Sequence, residues 1–143
     1  MNKKFWISFA ATYVVYEILE FIIHGVLLKS TYATEAVMKI MRPEADMKMW
    51  ILYVAGLFFI FFFCLIFAKG SEGKGLMEGV RYGFYVGMMV SVPMAYATYA
   101  TQPIPYSLAL QWFIYGVIEC VIIGVVAAQV YGGKAEETET TSE

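Results

Sequence analysis

Two carboxylates and the only histidine of the chain lie close together in an otherwise apolar N-terminal stretch. At the helical spacing of about 100° per residue, Tyr13, Glu17, Glu20 and His24 fall on one side of a helix. Because ionisable groups are costly in hydrocarbon, we expect this side to face protein or trapped water. Ionisable residues inside a membrane are typical of proton or ion paths, of ligand sites and of polar contacts between helices.

Polar residues at matching depths come from two later apolar stretches. A rise of about 1.5 Å per residue places Glu119 near the middle of the last stretch, level with Glu17 in the first. By the same rise, His24 lies about 10 Å further out, level with Tyr96 and Gln111. The predicted polar interior cluster consists of Glu17, Glu20, His24, Tyr96, Gln111 and Glu119.

The three glutamates of this cluster have one candidate cation near them, which is His24. A charged side chain in the middle of a membrane costs roughly 2.5–3.5 kcal/mol. We therefore predict that at least one of the three is protonated near neutral pH. Its hydrogen-bond partners would be tyrosines, water or another carboxyl group.

The composition and the long apolar stretches indicate a membrane protein. The 143 residues are 60% hydrophobic and 15% charged, with a mean hydropathy of +0.64, whereas soluble domains are about 45–50% apolar and about 25% charged. Four stretches reach the roughly 20 residues that cross a bilayer. They are Phe5–Leu28, Met49–Ala68, Leu76–Ala100 and Ser107–Tyr131. The sequence thus predicts an all-α, polytopic membrane protein with four transmembrane helices in an antiparallel bundle.

The segments outside the four stretches complete this prediction. Residues 1–131 form one transmembrane domain, and residues 132–143 form a disordered acidic cytoplasmic tail. Lysines before the first span and between the second and third favour cytoplasmic termini. Between the first two spans, Thr34 as N-cap and an apolar pattern before Pro43 predict one short interfacial helix.

Small residues recur every four positions in the third and fourth spans. Gly79, Gly83 and Gly87 lie in the third span, and Gly116 and Gly124 lie in the fourth. Because helices in lipid associate by close packing of small residues, the two stripes predict a contact between these spans or a dimer through one stripe. The short loop between the spans favours the intramolecular contact. The second span carries no ionisable group and is expected to lie outermost.

Two motifs carry a resemblance to known proteins. The third span opens with Glu78-Gly79-x-Arg81-Tyr82-Gly83, where Glu78 and Arg81 are predicted to form an ion pair at the cytoplasmic end. Together with Glu20-x-x-x-His24-Gly25, this motif resembles small four-span bacterial inner-membrane proteins of unknown function. The resemblance extends over most of the chain. It implies a location in the bacterial inner membrane and assigns neither an activity nor a site residue.

Three functions fit this pattern. The leading interpretation is a non-enzymatic accessory subunit or structural membrane component, in which the polar cluster holds helices together. The first alternative is a permeation unit for protons, ions or a small solute that uses the intramembrane carboxylates. The second alternative is a metal- or haem-binding protein, with Glu20 and His24 as the candidate ligands. We predict no cofactor, because Glu-x-x-x-His occurs once, whereas di-iron bundles need Glu-x-x-His on each of two helices.

Several other function classes have no support in the sequence. A net charge of −2 without a basic patch argues against nucleic-acid binding. We find no glycine-rich phosphate loop and no Ser–His–carboxylate or Cys–His pattern for nucleophilic catalysis. Cys64 and Cys120 lie within predicted spans, lack metal-ligand spacing and are expected to be buried thiols. The predicted partners are the lipid bilayer and either a homo-oligomer or a larger membrane complex.

Overall fold

The computed structural model describes residues 1–132, which are helical apart from short connections. The α-helices in this range are α1 (Lys3–Glu20), α2 (Lys29–Tyr32), α3 (Glu35–Met38), α4 (Met49–Gly70), α5 (Leu76–Thr101) and α6 (Tyr106–Gly132). A π-helical segment, Phe21–Leu27, continues α1, and a 3-10 turn, Glu44–Asp46, precedes α4. The all-α prediction is confirmed. The tail predicted for residues 132–143 lies outside the described residues, except for the last residue of α6.

Three of the long helices have the length and composition needed to cross a membrane. They are Lys3–Leu27, Met49–Gly70 and Tyr106–Tyr131, which indicates a multi-pass membrane protein in contact with lipid. α5 is as long, at 26 residues, but glycine, serine, threonine and tyrosine lower its hydropathy. By length and composition alone, the count of four spans is therefore not established.

α5 and α6 form an antiparallel pair, which is the most extensive contact between the described helices. Gly79, Gly83 and Gly87 are buried on this contact. A Cβ atom at Gly79 would clash with the carbonyl oxygen of Gly124, and one at Gly83 would lie 2.7 Å from the Cα of Val121. The two backbones thus touch directly, as in other membrane helix pairs built on small residues.

We predict that Gly83→Ala destabilises the protein by about 1–3 kcal/mol, because the new methyl group clashes with the backbone of α6 and forces the two helices apart. The measurement is the free energy of unfolding in mixed micelles titrated with sodium dodecyl sulfate. Gly70→Ala is the matched control, since a Cβ atom there has no neighbour within 4 Å. Equal stability of the two variants would contradict the direct backbone contact.

α1 packs between α4 and α6. The larger apolar core lies at the end of the bundle that holds the N-terminus and the α4–α5 loop, which we call the N-terminal end. It consists of Phe5, Ile60, Phe63, Cys64, Phe67, Ile123, Ala127 and Ala128. Four of these residues belong to α4, and the Tyr82 hydroxyl of α5 donates a hydrogen bond to the Phe63 carbonyl oxygen at 2.6 Å. Phe63 and Phe67 of α4 are buried in this core, whereas Phe58 and Phe62 are 60% and 53% exposed. That the second span lies outermost stays a prediction.

A second apolar core lies at the opposite end of the bundle, which we call the first-loop end. There the segment between α1 and α4 folds over the beginning of α6, and the buried residues are Ile23, Leu28, Val37, Ile104, Leu108 and Ala109. The segment contains α2, α3 and the 3-10 turn where the sequence predicts one helix. Thr34 is the N-cap of α3, but its hydroxyl donates to the Thr31 carbonyl oxygen at 2.7 Å and does not cap the helix. α3 ends at Met38, several residues before Pro43.

Candidate functional site

A line of polar side chains with a spacing of four residues runs along α1 into the π-helical segment. Its members are Ser8, Thr12, Tyr16, Glu20 and His24. Ser8 and Thr12 are buried. The Ser8 hydroxyl donates to a carbonyl oxygen of α6 at 3.5 Å, and the Thr12 hydroxyl is buried with no hydrogen-bond partner among the described residues. Residues four apart share a helix face, so the polar face of α1 is the one that meets α6.

Glu119 lies on α6 opposite this face, and it is the buried carboxyl group among the described residues, with 7% of its surface exposed. Its Oε1 atom has no hydrogen-bond partner there. The carboxyl groups of Glu20 and Glu17 lie within electrostatic range of Glu119, and the Tyr16 phenol lies near all three. None of the ion pairs among residues 1–132 includes Glu119. The structure thus groups three carboxyls around one buried position with no lysine or arginine.

Glu17 is half-buried and faces α4 as well as Glu119. Its Oε1 atom is buried without a hydrogen-bond partner in the described part of the chain. A Cβ atom at Gly56 would lie 3.0 Å from this oxygen and 2.7 Å from the Cε1 atom of Tyr16. Gly56 therefore provides the space that lets both side chains pack against α4.

His24 connects the Glu20 carboxyl group to the first-loop end of the bundle. Its Nδ1 atom lies 2.6 Å from the Tyr32 hydroxyl, and its Nε2 atom lies 3.6 Å from Oε1 of Glu20. The Trp112 indole N–H donates to the same hydroxyl at 2.9 Å. With the indole as donor, the Tyr32 O–H can donate to Nδ1, and we assign the remaining imidazole proton to Nε2, facing Glu20. The result is a chain that runs from Trp112 through Tyr32 and His24 to Glu20.

The π-helical segment sets the position of His24 in this chain. It begins directly after Glu20, and it ends with the Leu28 N–H donating to the Ile23 carbonyl oxygen at 2.8 Å. The change of helix type allows α2 to start at Lys29 and to bring Tyr32 back alongside the histidine. Segments of π-helix occur frequently at functional sites.

Two further residues of the predicted cluster lie apart from the carboxyls. Gln111 accepts a hydrogen bond from the Thr31 hydroxyl at 3.0 Å, so it joins α6 to α2 beside the Tyr32 contact. The Tyr96 ring packs against Tyr106 and Phe113, with centroid distances of 6.4 Å and 6.0 Å. No hydrogen bond within residues 1–132 joins Tyr96 to His24 or to the three glutamates.

The structure does not bring Glu78 and Arg81 together as an ion pair within the described range. The Glu78 carboxylate accepts hydrogen bonds from the backbone N–H groups of Glu72 and Lys74, at 2.5 Å and 2.9 Å, and from the Ser71 hydroxyl at 3.3 Å. Arg81 is exposed. Glu78 thus folds the α4–α5 loop over the first turn of α5, as the acidic residue of a capping box does.

The predicted metal ligands, Glu20 and His24, approach each other but gain no third partner. No group of three or more histidine, cysteine, aspartate or glutamate residues in the described part of the chain is arranged to hold a metal ion. Buried metal sites in bundles use ligands from several facing helices.

Tyr16, Tyr32 and Gly56 are site residues that our reading of the sequence did not select. The spacing of four from Thr12 through Tyr16 to Glu20 is visible in the sequence and would have identified Tyr16. The only glycine in the interior of the second apolar stretch would have pointed to Gly56. Tyr32 has no such signal, because its contact depends on how the first loop folds.

Protein-family models, curated proteins and solved structures contain no match for this chain. The site itself is therefore the basis for a functional proposal. Its features are a buried carboxyl with one oxygen that has no hydrogen-bond partner in the described chain, two further carboxyls beside it and a hydrogen-bonded chain that leads towards them.

We predict that Glu119 is a neutral acid at pH 7, because burial among other carboxyls and without a cation penalises the charged form. Infrared spectra in lipid should show a protonated-carboxyl band at pH 7 that Glu119→Gln removes. Glu35→Gln is the control, since this exposed carboxylate pairs with Lys39 at 2.6 Å and its loss should leave the band in place. A spectrum without the band at pH 7, or a band that survives Glu119→Gln, would contradict the assignment.

We predict that Tyr32→Phe destabilises the protein by about 1–3 kcal/mol, because the indole and the imidazole both lose their partner. Burial raises the pKa of the Tyr32 hydroxyl to about 12, although the hydrogen bond from Trp112 acts in the opposite direction. Since this pKa lies above the value of about 10 for exposed tyrosine, the stabilisation should be complete below pH 10 and lost as the pH rises through 12.

The measurement for Tyr32→Phe is the free energy of unfolding between pH 8 and pH 12, compared with wild type. Tyr85→Phe is the matched control, because that side chain is 66% exposed and should change stability little. A loss that is the same for both variants would show that the contact among His24, Tyr32 and Trp112 contributes nothing.

Proposed function

We propose that all four long helices cross a bacterial inner membrane, with both termini in the cytoplasm. α5 lies along α6 from the contact of Gly79 with Gly124 to the contact of Tyr96 with Phe113. A membrane that α6 crosses therefore also surrounds α5, and the charged residues of α5 all lie in its first two turns. The lysines before α1 and in the α4–α5 loop support the orientation.

Within this bundle, the function that the geometry supports best is proton transfer through the membrane interior. The observation that carries the proposal is the buried Glu119 carboxyl, whose Oε1 atom has no hydrogen-bond partner among the described residues and which lies beside the inner end of a hydrogen-bonded chain. Ionisable residues inside membranes commonly serve as proton relays. A carboxyl group there can hold a proton as a neutral acid, so it can exchange the proton without leaving a charge in hydrocarbon.

The transfer steps follow from the order of the groups. A proton that reaches Nδ1 of His24 from the Tyr32 side produces an imidazolium. The proton on Nε2 then passes to the Glu20 carboxylate, across a gap of 3.6 Å that a small side-chain movement closes. Glu119 first releases its own proton towards the N-terminal end, and the resulting carboxylate then accepts the proton from Glu20. Trp112 only donates a hydrogen bond, so it orients the Tyr32 hydroxyl and moves no proton.

Beyond Glu119 the polar line continues towards the N-terminal end through Tyr16, Thr12 and Ser8. Aromatic side chains then close it, since Phe5 and Phe67 are each at most 3% exposed. The described conformation thus supports proton access to Glu119 from the first-loop end. Passage to the other side requires water or a movement of helices, which fits a gated path better than an open pore.

The test is proton flux into proteoliposomes that contain a pH-sensitive dye, driven by a potassium diffusion potential. Wild type should acidify the lumen, and Glu119→Gln should reduce the flux by about 100-fold, as expected when a proton-transfer group is removed. Glu35→Gln is the control and should keep the wild-type rate. Gel filtration and thermal unfolding confirm that the variants are folded, and a folded Glu119→Gln protein with wild-type flux would overturn the proposal.

An accessory or structural role in a larger membrane complex is the second candidate. It is favoured by the hydrogen bonds of Tyr32, which join the π-helical segment, α2 and α6 at one point. In that case wild type shows no flux above empty liposomes, and His24→Ala lowers the unfolding temperature or the yield of a co-purified complex. The two functions are therefore separated by the wild-type flux alone.

A further inference from the structure

A groove of about 380 Å³ lies between α1 and α4 at the level of Glu17. Its lining residues are Tyr13, Val14, Glu17, Ile18, Phe21 and Tyr53. The side chains that form its rim are more than half exposed. In a membrane-spanning bundle these exposed apolar side chains meet acyl chains, so the groove opens sideways into the hydrocarbon. Its volume falls within the roughly 300–1,000 Å³ of sites for small molecules.

The Glu17 carboxyl is the acidic group of this groove. Glu17 lies two residues from the middle of the candidate span Lys3–Leu27, which is about 3 Å along the helix axis. None of the ion pairs among residues 1–132 includes it. A charged carboxylate at this depth costs roughly 2.5–3.5 kcal/mol, and a bound cation would offset this cost.

Aromatic rings complete the groove on both helices. The Tyr13 hydroxyl of α1 donates to the Tyr53 carbonyl oxygen of α4 at 3.1 Å, which links the two walls. Tyrosine faces attract cations by about 0.5–1 kcal/mol at exposed sites and more where water is excluded. The remaining wall is aliphatic and aromatic carbon from Val14, Ile18 and Phe21.

We propose that this groove binds a lipophilic monocation that enters from the bilayer. The charge of the ligand lies at the Glu17 carboxylate, and its apolar part packs on the exposed side chains of α1. A small hydrated cation does not match the apolar rim, an acyl chain leaves Glu17 without a counter-charge, and an anion is repelled. The site adjoins the proposed proton path, because Glu17 lies within electrostatic range of Glu119, but the path itself runs over Glu20 and Glu119.

The experiment measures binding of tetraphenylphosphonium to the purified protein in nanodiscs by equilibrium dialysis. Tetraphenylborate has nearly the same size and shape with the opposite charge, so it reports on hydrophobic partitioning. Wild type should bind about one tetraphenylphosphonium per chain saturably and show no saturable binding of tetraphenylborate. Equal binding of both ions would overturn the proposal.

Two variants locate the site. Glu17→Gln should weaken tetraphenylphosphonium binding by about tenfold or more, since a charged partner is lost while the shape is kept. Ile18→Trp should weaken it as well by filling the groove from an exposed position, and this variant keeps the proposal testable if Glu17→Gln does not fold. The matched control Glu35→Gln should bind as wild type does. Undiminished binding by either folded variant would place the cation elsewhere and overturn the proposal.

Discussion

The cost of placing a carboxyl group in hydrocarbon is the constraint on which this structure depends. Glu119 avoids lipid because the polar face of α1 covers it, and α1 comes close enough because Gly56 of α4 leaves room for Tyr16 and Glu17. On α6, the face that meets α1 lies next to the stripe of small residues that meets α5. One helix thus uses two adjacent stripes for two different contacts, one polar and one built on direct backbone packing.

The contact between α5 and α6 shows how packing and hydropathy oppose each other in a membrane protein. Lipid tails are as apolar as leucine, so association has to come from close packing and interhelical hydrogen bonds. The residues that allow it, such as Gly79 and Gly83, contribute little hydropathy. The helix with the tightest contact is therefore the one whose composition looks least like a transmembrane span. The position of α5 along α6 is therefore seen from the contact between the two helices and not from the hydropathy of α5.

The sequence was most informative where a local signal ends a helix. The predicted span Met49–Ala68 corresponds to α4, and Leu76–Ala100 corresponds to α5, with ends that differ by at most two residues. These bounds follow from glycines, prolines and charged residues, which act locally. The place of α4 in the bundle was not predictable in the same way, because a helix that is apolar on all sides gives no signal for its buried face. We expected α4 to lie outermost, which stays a prediction, and its buried face with Ile60, Phe63 and Phe67 comes from the structure alone.

For the candidate site as well, the sequence predicts what depends on regular helices and does not predict what depends on tertiary packing. Glu17, Glu20 and Glu119 could be related from sequence because regular helices convert residue number into depth. The partner of His24 could not, since Tyr32 reaches it only through a π-helical segment and a folded loop, both of which depend on tertiary packing. Glu78 differs for a similar reason. A spacing of three residues predicts contact with Arg81, but the Glu78 carboxylate accepts hydrogen bonds from backbone N–H groups of the loop, which are already in position. These hydrogen bonds do not require a second side chain to lose conformational entropy.

The two ends of the bundle are unequal, and this difference bears on any movement of protons. The first-loop end offers hydrogen-bonding groups as far as Glu20, whereas the N-terminal end is closed by Phe5 and Phe67. Alternate access to Glu119 would require one helix to shift. α1 is the candidate, since 17% of its most apolar window is buried, against 28% for α4 and 33% for α6. An element with fewer buried contacts opens at a lower free-energy cost. The helix that carries two of the three clustered carboxyls is thus also the candidate span with the smallest buried share.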